Sequence, residues 1–160
     1  VRDMLPKIIR YCGAIGGVCD GTGIGEPLAY HLKELFDRNN DGLVEAYKFK
    51  AAGDESKSKL GYLAYDFNHN DLIKVPKAPE DPDQLELWKE LRWQVEHLTR
   101  EAKRQQTINF YVPANAEPRK PGHVPHDDLV MALFLLMRAA RNIDPNTGKA
   151  TAFDREKSGV

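Results

Sequence analysis

Two aspartates stand side by side at Asp127 and Asp128, directly after His126, in the segment GHVPHDDLVMA (residues 122–132). One aspartate is enough to cap the apolar helix that follows and to complement its dipole. A second carboxylate beside it is costly by repulsion unless a cation sits there. Hard divalent ions such as Mg²⁺ and Mn²⁺ take carboxylate oxygens. A metal site therefore accounts for the pair better than capping does.

A further acid, Asp20, precedes three spaced glycines in DGTGIG (residues 20–25). A strand, a Gly-rich turn and a helix is the arrangement of a dinucleotide site. That fingerprint is GxGxxG, however, and Gly25 falls one position early. Asp41 and Glu45 lie near the spacing of a ribose-binding acid but sit in and after a turn. An acid before the glycines would also repel pyrophosphate. No Gly-Lys-Ser/Thr follows, which excludes a P-loop. The plain alternative is an aspartate capping the next helix.

Asp37, Asn39, Asp41 and Gly42 match the opening of a calcium-binding EF-hand loop. The position that needs a bidentate Glu is instead Lys48, so a polar turn is the better reading. The basic residues also cluster. Lys48, Lys50, Lys57 and Lys59 form one group, and Arg100, Lys103, Arg104, Arg119 and Lys120 another. Such groups can face phosphates even when the whole chain is nearly neutral, although a solvated surface is the plainer reading of any single lysine.

The elements that must position these groups follow from periodicity. Met4 to Tyr11 reads as a helix, Ile15 to Asp20 as a buried strand, and Glu26 to Phe36 as a helix after the Gly-rich turn. Leu43 to Ala51 alternates as a strand, and Ser56 to Asn68 has helical spacing. Asp71 to Val75 reads as a short edge strand, and Lys77 to Asp83 as a Pro-rich acidic loop. Pro82 to Gln106 reads as one long helix, with Leu85, Trp88, Leu91, Val95, Leu98 and Ala102 inward. Ile108 to Val112 is a strand, Pro113 to Pro125 a loop, and Asp127 to Arg141 an apolar, buried helix. Alternating strands and helices predict an α/β fold with a largely parallel central sheet, whose functional residues gather at the strand carboxyl ends. Asp20 lies at such an end.

Composition bounds the partners. The 160 residues carry 23 Lys and Arg against 24 Asp and Glu, so overall charge gives no footprint of nucleic acid or membrane. The apolar run from Leu129 to Met137 is too short to span a bilayer. Two cysteines, Cys12 and Cys19, suggest neither a disulfide framework nor a metal knuckle, which favours a reducing compartment.

Three stretches together resemble the C-terminal nuclease domain of the large terminase subunit of tailed bacteriophages. VCDGTGIGEPLAYHL (residues 18–32) is similar to that family's acid-bearing strand, Gly-rich turn and helix. FKAAGDESKSKLGYLAYDFNHNDLIKVP (residues 49–76) is similar to its SKSxLGY helix and following edge strand, and HDDLVMA (residues 126–132) to its closing acidic motif. They occur in the family's order and span roughly residues 5–141. The last motif is specific in this context, whereas DGTGIG alone is weak.

The resemblance implies a ribonuclease-H-like mixed central sheet flanked by helices. It implies a single nuclease domain over residues 1–141, including the loop, long helix and strand of 77–125, with a polar tail over 142–160. It implies a divalent-metal-dependent DNA endonuclease that cuts concatemeric viral DNA during genome packaging, with a two-metal Mg²⁺ or Mn²⁺ site. Asp20 and Asp128 would be catalytic metal ligands, with Asp127 a further ligand or a residue supporting them, and Lys57, Lys59, Arg119 and Lys120 would contact backbone phosphates. Partners would be double-stranded DNA and, in the full-length protein, an ATPase domain, the portal and the small terminase subunit, in the cytoplasm of a bacterial host and without a membrane. The family's first catalytic aspartate precedes the helix at Met4, so the resemblance also implies an N-terminally incomplete domain, inactive if that acid is missing. The competing expectation is a nucleotide-binding or non-catalytic interaction module built on the Gly21–Gly25 turn.

Overall fold

Apolar residues at helical spacing, Leu5 and Ile9, open the chain in helix α1 (Met4–Tyr11). A computed structural model describes residues 4–11, 16–37, 44–50, 56–74, 77–103 and 108–141. Cys12, the expected EF-hand positions Asn39, Asp41 and Gly42, and the tail over 142–160 lie outside the described residues. The chain divides into two compact units, one from residues 1–50 and 135–160 and the other from residues 51–134.

In the first unit, strand β1 (Gly17–Asp20) pairs in parallel with strand β2 (Val44–Tyr47), with Asp20 opposite Tyr47. Helix α2 (Glu26–Asp37) connects them, as parallel neighbours need a crossover rather than a tight hairpin. Leu32, Phe36 and Val44 form the core, with Leu5, Ile9, Cys19 and Leu28 packed against it. Burial pushes the Cys19 thiol above its ordinary pKa, so it behaves as a small apolar side chain. At the end of helix α5 (Asp128–Arg141), the Arg138 fork grips Glu45 through contacts of 2.7, 2.9 and 3.1 Å. Its guanidinium also lies 4.8 Å from the ring centroid of buried Tyr47.

The second unit holds helices α3 (Lys57–His69) and α4 (Pro82–Glu96), a hairpin of strands β3 (Thr99–Ala102) and β4 (Ile108–Tyr111), and the start of α5. Ser56 caps α3, its Oγ accepting from the Lys59 amide at 3.3 Å. Asp81 caps α4 in the same way, with Pro82 in the first turn. Gly61 lets α3 approach the Phe110 ring of β4, which in turn meets Phe134 edge-on. A side chain at position 61 would overlap that ring.

The α/β class stands, with five α-helices described, but the described strands form two separate two-stranded sheets, one parallel and one antiparallel, where a single central sheet was expected. Two element readings are corrected. Asp71–Lys74 is not a strand: Asp71 takes φ +54° and α3 closes in a Schellman turn. The Leu72 amide donates to the Phe67 carbonyl at 2.9 Å and the Asp71 amide to that of Asn68 at 3.2 Å. The helix expected over Pro82–Gln106 ends at Glu96. His97 folds back, its amide and Nδ1 both bonding the Trp93 carbonyl, and Thr99–Ala102 pairs with β4 instead. Among the described residues no helix is long and apolar enough to cross a membrane.

Candidate functional site

Asp20 ends β1 exposed, and its carboxylate accepts from the Thr22 amide at 2.8 Å, an Asx turn that starts the Gly-rich segment. The Gly21 amide extends the β ladder to the Tyr47 carbonyl at 2.7 Å, and Thr22 Oγ1 accepts from the Phe49 amide at 3.0 Å. The glycines answer to the backbone. Gly23 has φ +60°, and a Cβ on Gly25 would lie 2.9 Å from the Asp20 carbonyl oxygen. Lys48, at the expected calcium-loop end, instead pairs with Glu26 at 2.8 Å.

Asp127 and Asp128 begin α5 in the second unit, yet neither carboxylate is needed as its cap. The Asp127 carbonyl accepts the first helical bond, from Met131. The next two open amides, Leu129 and Val130, donate to Oε1 of Gln94 at 2.9 and 3.0 Å. Gln94 is fully buried on α4 and so supplies the cap from another helix. The two carboxylates are left for other partners. Asp127 Oδ2 takes the Lys57 ammonium at 2.9 Å, both groups partly buried. Asp128 is 84% exposed, its Oδ2 lying 3.5 Å from His126 Nδ1. Part of the cation demanded by the adjacent acids is therefore Lys57, a residue expected to meet phosphate.

The other expected phosphate contacts are placed as follows. Lys59 is exposed on the first turn of α3. Arg119 is mostly buried and forks between Glu86 at 2.9 Å and Glu90 at 3.2 Å. Lys120 stays exposed, 3.6 Å from Glu86. Hydrogen bonds from Arg119, then Lys89, pull the Glu86 pKa down to about 2, and the Glu86 bond holds Arg119 above its ordinary value. The acidic face of α4 thus meets the basic loop that follows β4.

The same face carries a constellation that sequence reasoning passed over. Ligand-type atoms of Glu90, His123 and His126 lie within 4.8 Å of one another. His123 Nε2 is 2.9 Å from Glu90 Oε1, and His126 Nε2 is 3.8 Å from the same oxygen. Gln94 Nε2 donates to Glu90 Oε1 and to His126 Nδ1, each at 3.1 Å. The Arg119 amide donates to His123 Nδ1 at 3.4 Å, which leaves that ring's proton on Nε2, facing Glu90. Trp93 meets the His123 ring edge-on at 4.5 Å and fixes it. Burial raises the Glu90 pKa, but hydrogen bonds from His123, Gln94 and Arg119 outweigh it and leave the group below its ordinary value. The sequence signal was the pair His123 and His126, three residues apart beside the aspartates. Glu90, thirty-three residues before His123, carried none.

Two imidazoles and a carboxylate so disposed can hold a metal ion or relay a proton. Comparison of the chain with protein-family models, with curated proteins and with solved structures finds no match to any of them.

Proposed function

We propose that the chain is the nuclease domain of a phage terminase large subunit, ribonuclease-H-like in fold, which hydrolyses phosphodiester bonds of double-stranded DNA during genome packaging. The observation that carries the reading is the aspartate pair after His126, in sequence order behind the two other family-like stretches. Gln94 supplies the hydrogen bonds that cap α5, so capping does not account for either carboxylate. Asp20, at the carboxyl end of a parallel strand, stands where such folds place functional acids.

Carboxylate oxygens fit Mg²⁺ or Mn²⁺, and the exposure of Asp128 suits an ion that must also meet a DNA phosphate. Asp20, Asp127 and Asp128 would hold the ions. The ions supply activation of water and charge for the leaving oxygen. Lys57 neutralises Asp127 and orients its carboxylate. Lys59 and Lys120 are exposed and would meet phosphates without reading bases. Lys57 and Arg119 would serve phosphates only by releasing Asp127 and Glu86.

The test is nicking of supercoiled plasmid with Mn²⁺ by this chain. The wild-type chain should cut, and Asp128→Asn should abolish the cutting. Cutting that survives chelation, or is unchanged in Asp128→Asn, overturns the assignment.

A further inference from the structure

We infer that Glu90, His123 and His126 form a binding site for a zinc-class divalent ion, separate in chemistry from the carboxylate site, which ties the loop over residues 113–127 to helix α4. Two imidazole nitrogens and one carboxylate oxygen are a donor set for Zn²⁺ or Co²⁺, whereas Mg²⁺ and Mn²⁺ favour oxygen alone.

Two of the donor–donor distances are close to those around a bound ion. A tetrahedral Zn²⁺ with bonds of 2.0–2.1 Å sets its donor atoms about 3.3–3.4 Å apart. The distances of His123 Nε2 and His126 Nε2 to Glu90 Oε1, 2.9 and 3.8 Å, bracket that value. His126, 44% exposed, can swing to close the longer one, and its exposure leaves an entry path and an open position for water.

The surroundings are arranged as metal sites require. Arg119 Nε bonds Glu90 Oε2 at 3.2 Å, which turns Oε1 toward the imidazoles and favours one-oxygen ligation. Trp93 fixes the His123 ring, and buried Gln94 holds Glu90 at 3.1 Å. Asp128 Oδ2, 3.5 Å from His126 Nδ1, is placed to accept a proton-bearing Nδ1 once Nε2 is a ligand. Binding moves each ring proton from Nε2 to Nδ1. His123 exchanges its 2.9 Å hydrogen bond to Glu90 for ligation and gives up the 3.4 Å contact from the Arg119 amide, and His126 turns off Gln94 toward Asp128.

The inference does not depend on nuclease activity. Chelator-treated chain is titrated with Zn²⁺ by calorimetry and, separately, with Co²⁺ by visible absorption. Expected is one tight equivalent, intense tetrahedral Co²⁺ bands, and movement of the His123 and His126 ring nitrogens in NMR spectra of the wild-type chain. His126→Ala, at a half-exposed position, should weaken Zn²⁺ by more than about 100-fold, beyond the roughly 10–100-fold typical for loss of an outer hydrogen-bond partner. Asp20→Asn should leave this equivalent in place. Absence of a tight equivalent, unmoved His123 and His126 signals, or Zn²⁺ affinity kept in His126→Ala and lost in Asp20→Asn would each overturn the site.

Discussion

Replacing Gln94 with Leu tests the capping logic on which the candidate site rests. The side chain is fully buried, and its Oε1 satisfies the amides of Leu129 and Val130 at 2.9 and 3.0 Å. Leu fills a similar volume but accepts nothing. A buried donor left unpaired costs about 1–3 kcal/mol. The Val130 amide is buried and bears the full cost, while the Leu129 amide is partly buried and bears less. The expected loss is therefore about 2–4 kcal/mol, a large share of a typical domain's stability of about 5–15 kcal/mol. Urea unfolding followed by tryptophan fluorescence reads it, since Trp93 lies buried one residue away on α4. Asp127→Ala is the companion variant. It removes the ion pair to Lys57 and should cost only about 1 kcal/mol. A small loss for Gln94→Leu with a large one for Asp127→Ala would show that the aspartate caps α5, and the argument that its carboxylate needs another role would fail.

Other outcomes follow from single features. Gly61→Ala pushes a methyl into the Phe110 ring and should destabilise by about 1–3 kcal/mol in the same unfolding assay; no loss would mean that α3 and β4 separate without cost. Asp71→Gly relieves a left-handed φ of +54° and should stabilise by about 0.5–1 kcal/mol, seen as a higher urea midpoint; a lower midpoint would show that the aspartate side chain matters more than the backbone. Glu86 and Glu90 have folded pKa values below their unfolded ones. Their stabilisation is thus present above the ordinary carboxylate range and fades as pH falls, for Glu86 from about 4.5 toward about 2. Unfolding midpoints from pH 7 down to about 3 should drop less steeply in Glu86→Gln than in the wild type, and equal slopes would sink the assignment.

Local signals in the sequence carried far. Helix α1 falls where its apolar spacing put it, and Ser56 and Asp81 start helices as capping residues do. What failed depended on distant partners. Val95, Leu98 and Ala102 suggested that α4 continues, yet Val95 is half exposed, and pairing with Ile108–Tyr111 claims Thr99–Ala102 for a strand. Asp71 mimicked an edge strand because an aspartate in a glycine's role leaves no compositional mark. At the candidate site, residue types were legible but pairings were not. Lys57 and Arg119 read as free cations because their carboxylates lie 70 and about 30 residues away. Gln94 gave no sign at all, since a glutamine on a charged helix is ordinary until its amide is found buried beneath another helix start.

The Gly21–Gly25 turn bears on how relatives of this chain are to be read. Steric demand alone fixes Gly25 against the Asp20 carbonyl and Gly23 in a left-handed conformation. Glycine is favoured at both positions whether the turn meets DNA, a nucleotide or only water, so its presence there is information about chain path. Selection by a ligand would be recorded instead at Ile24, an apolar side chain wholly in solvent at the tip of the turn and free of any packing duty.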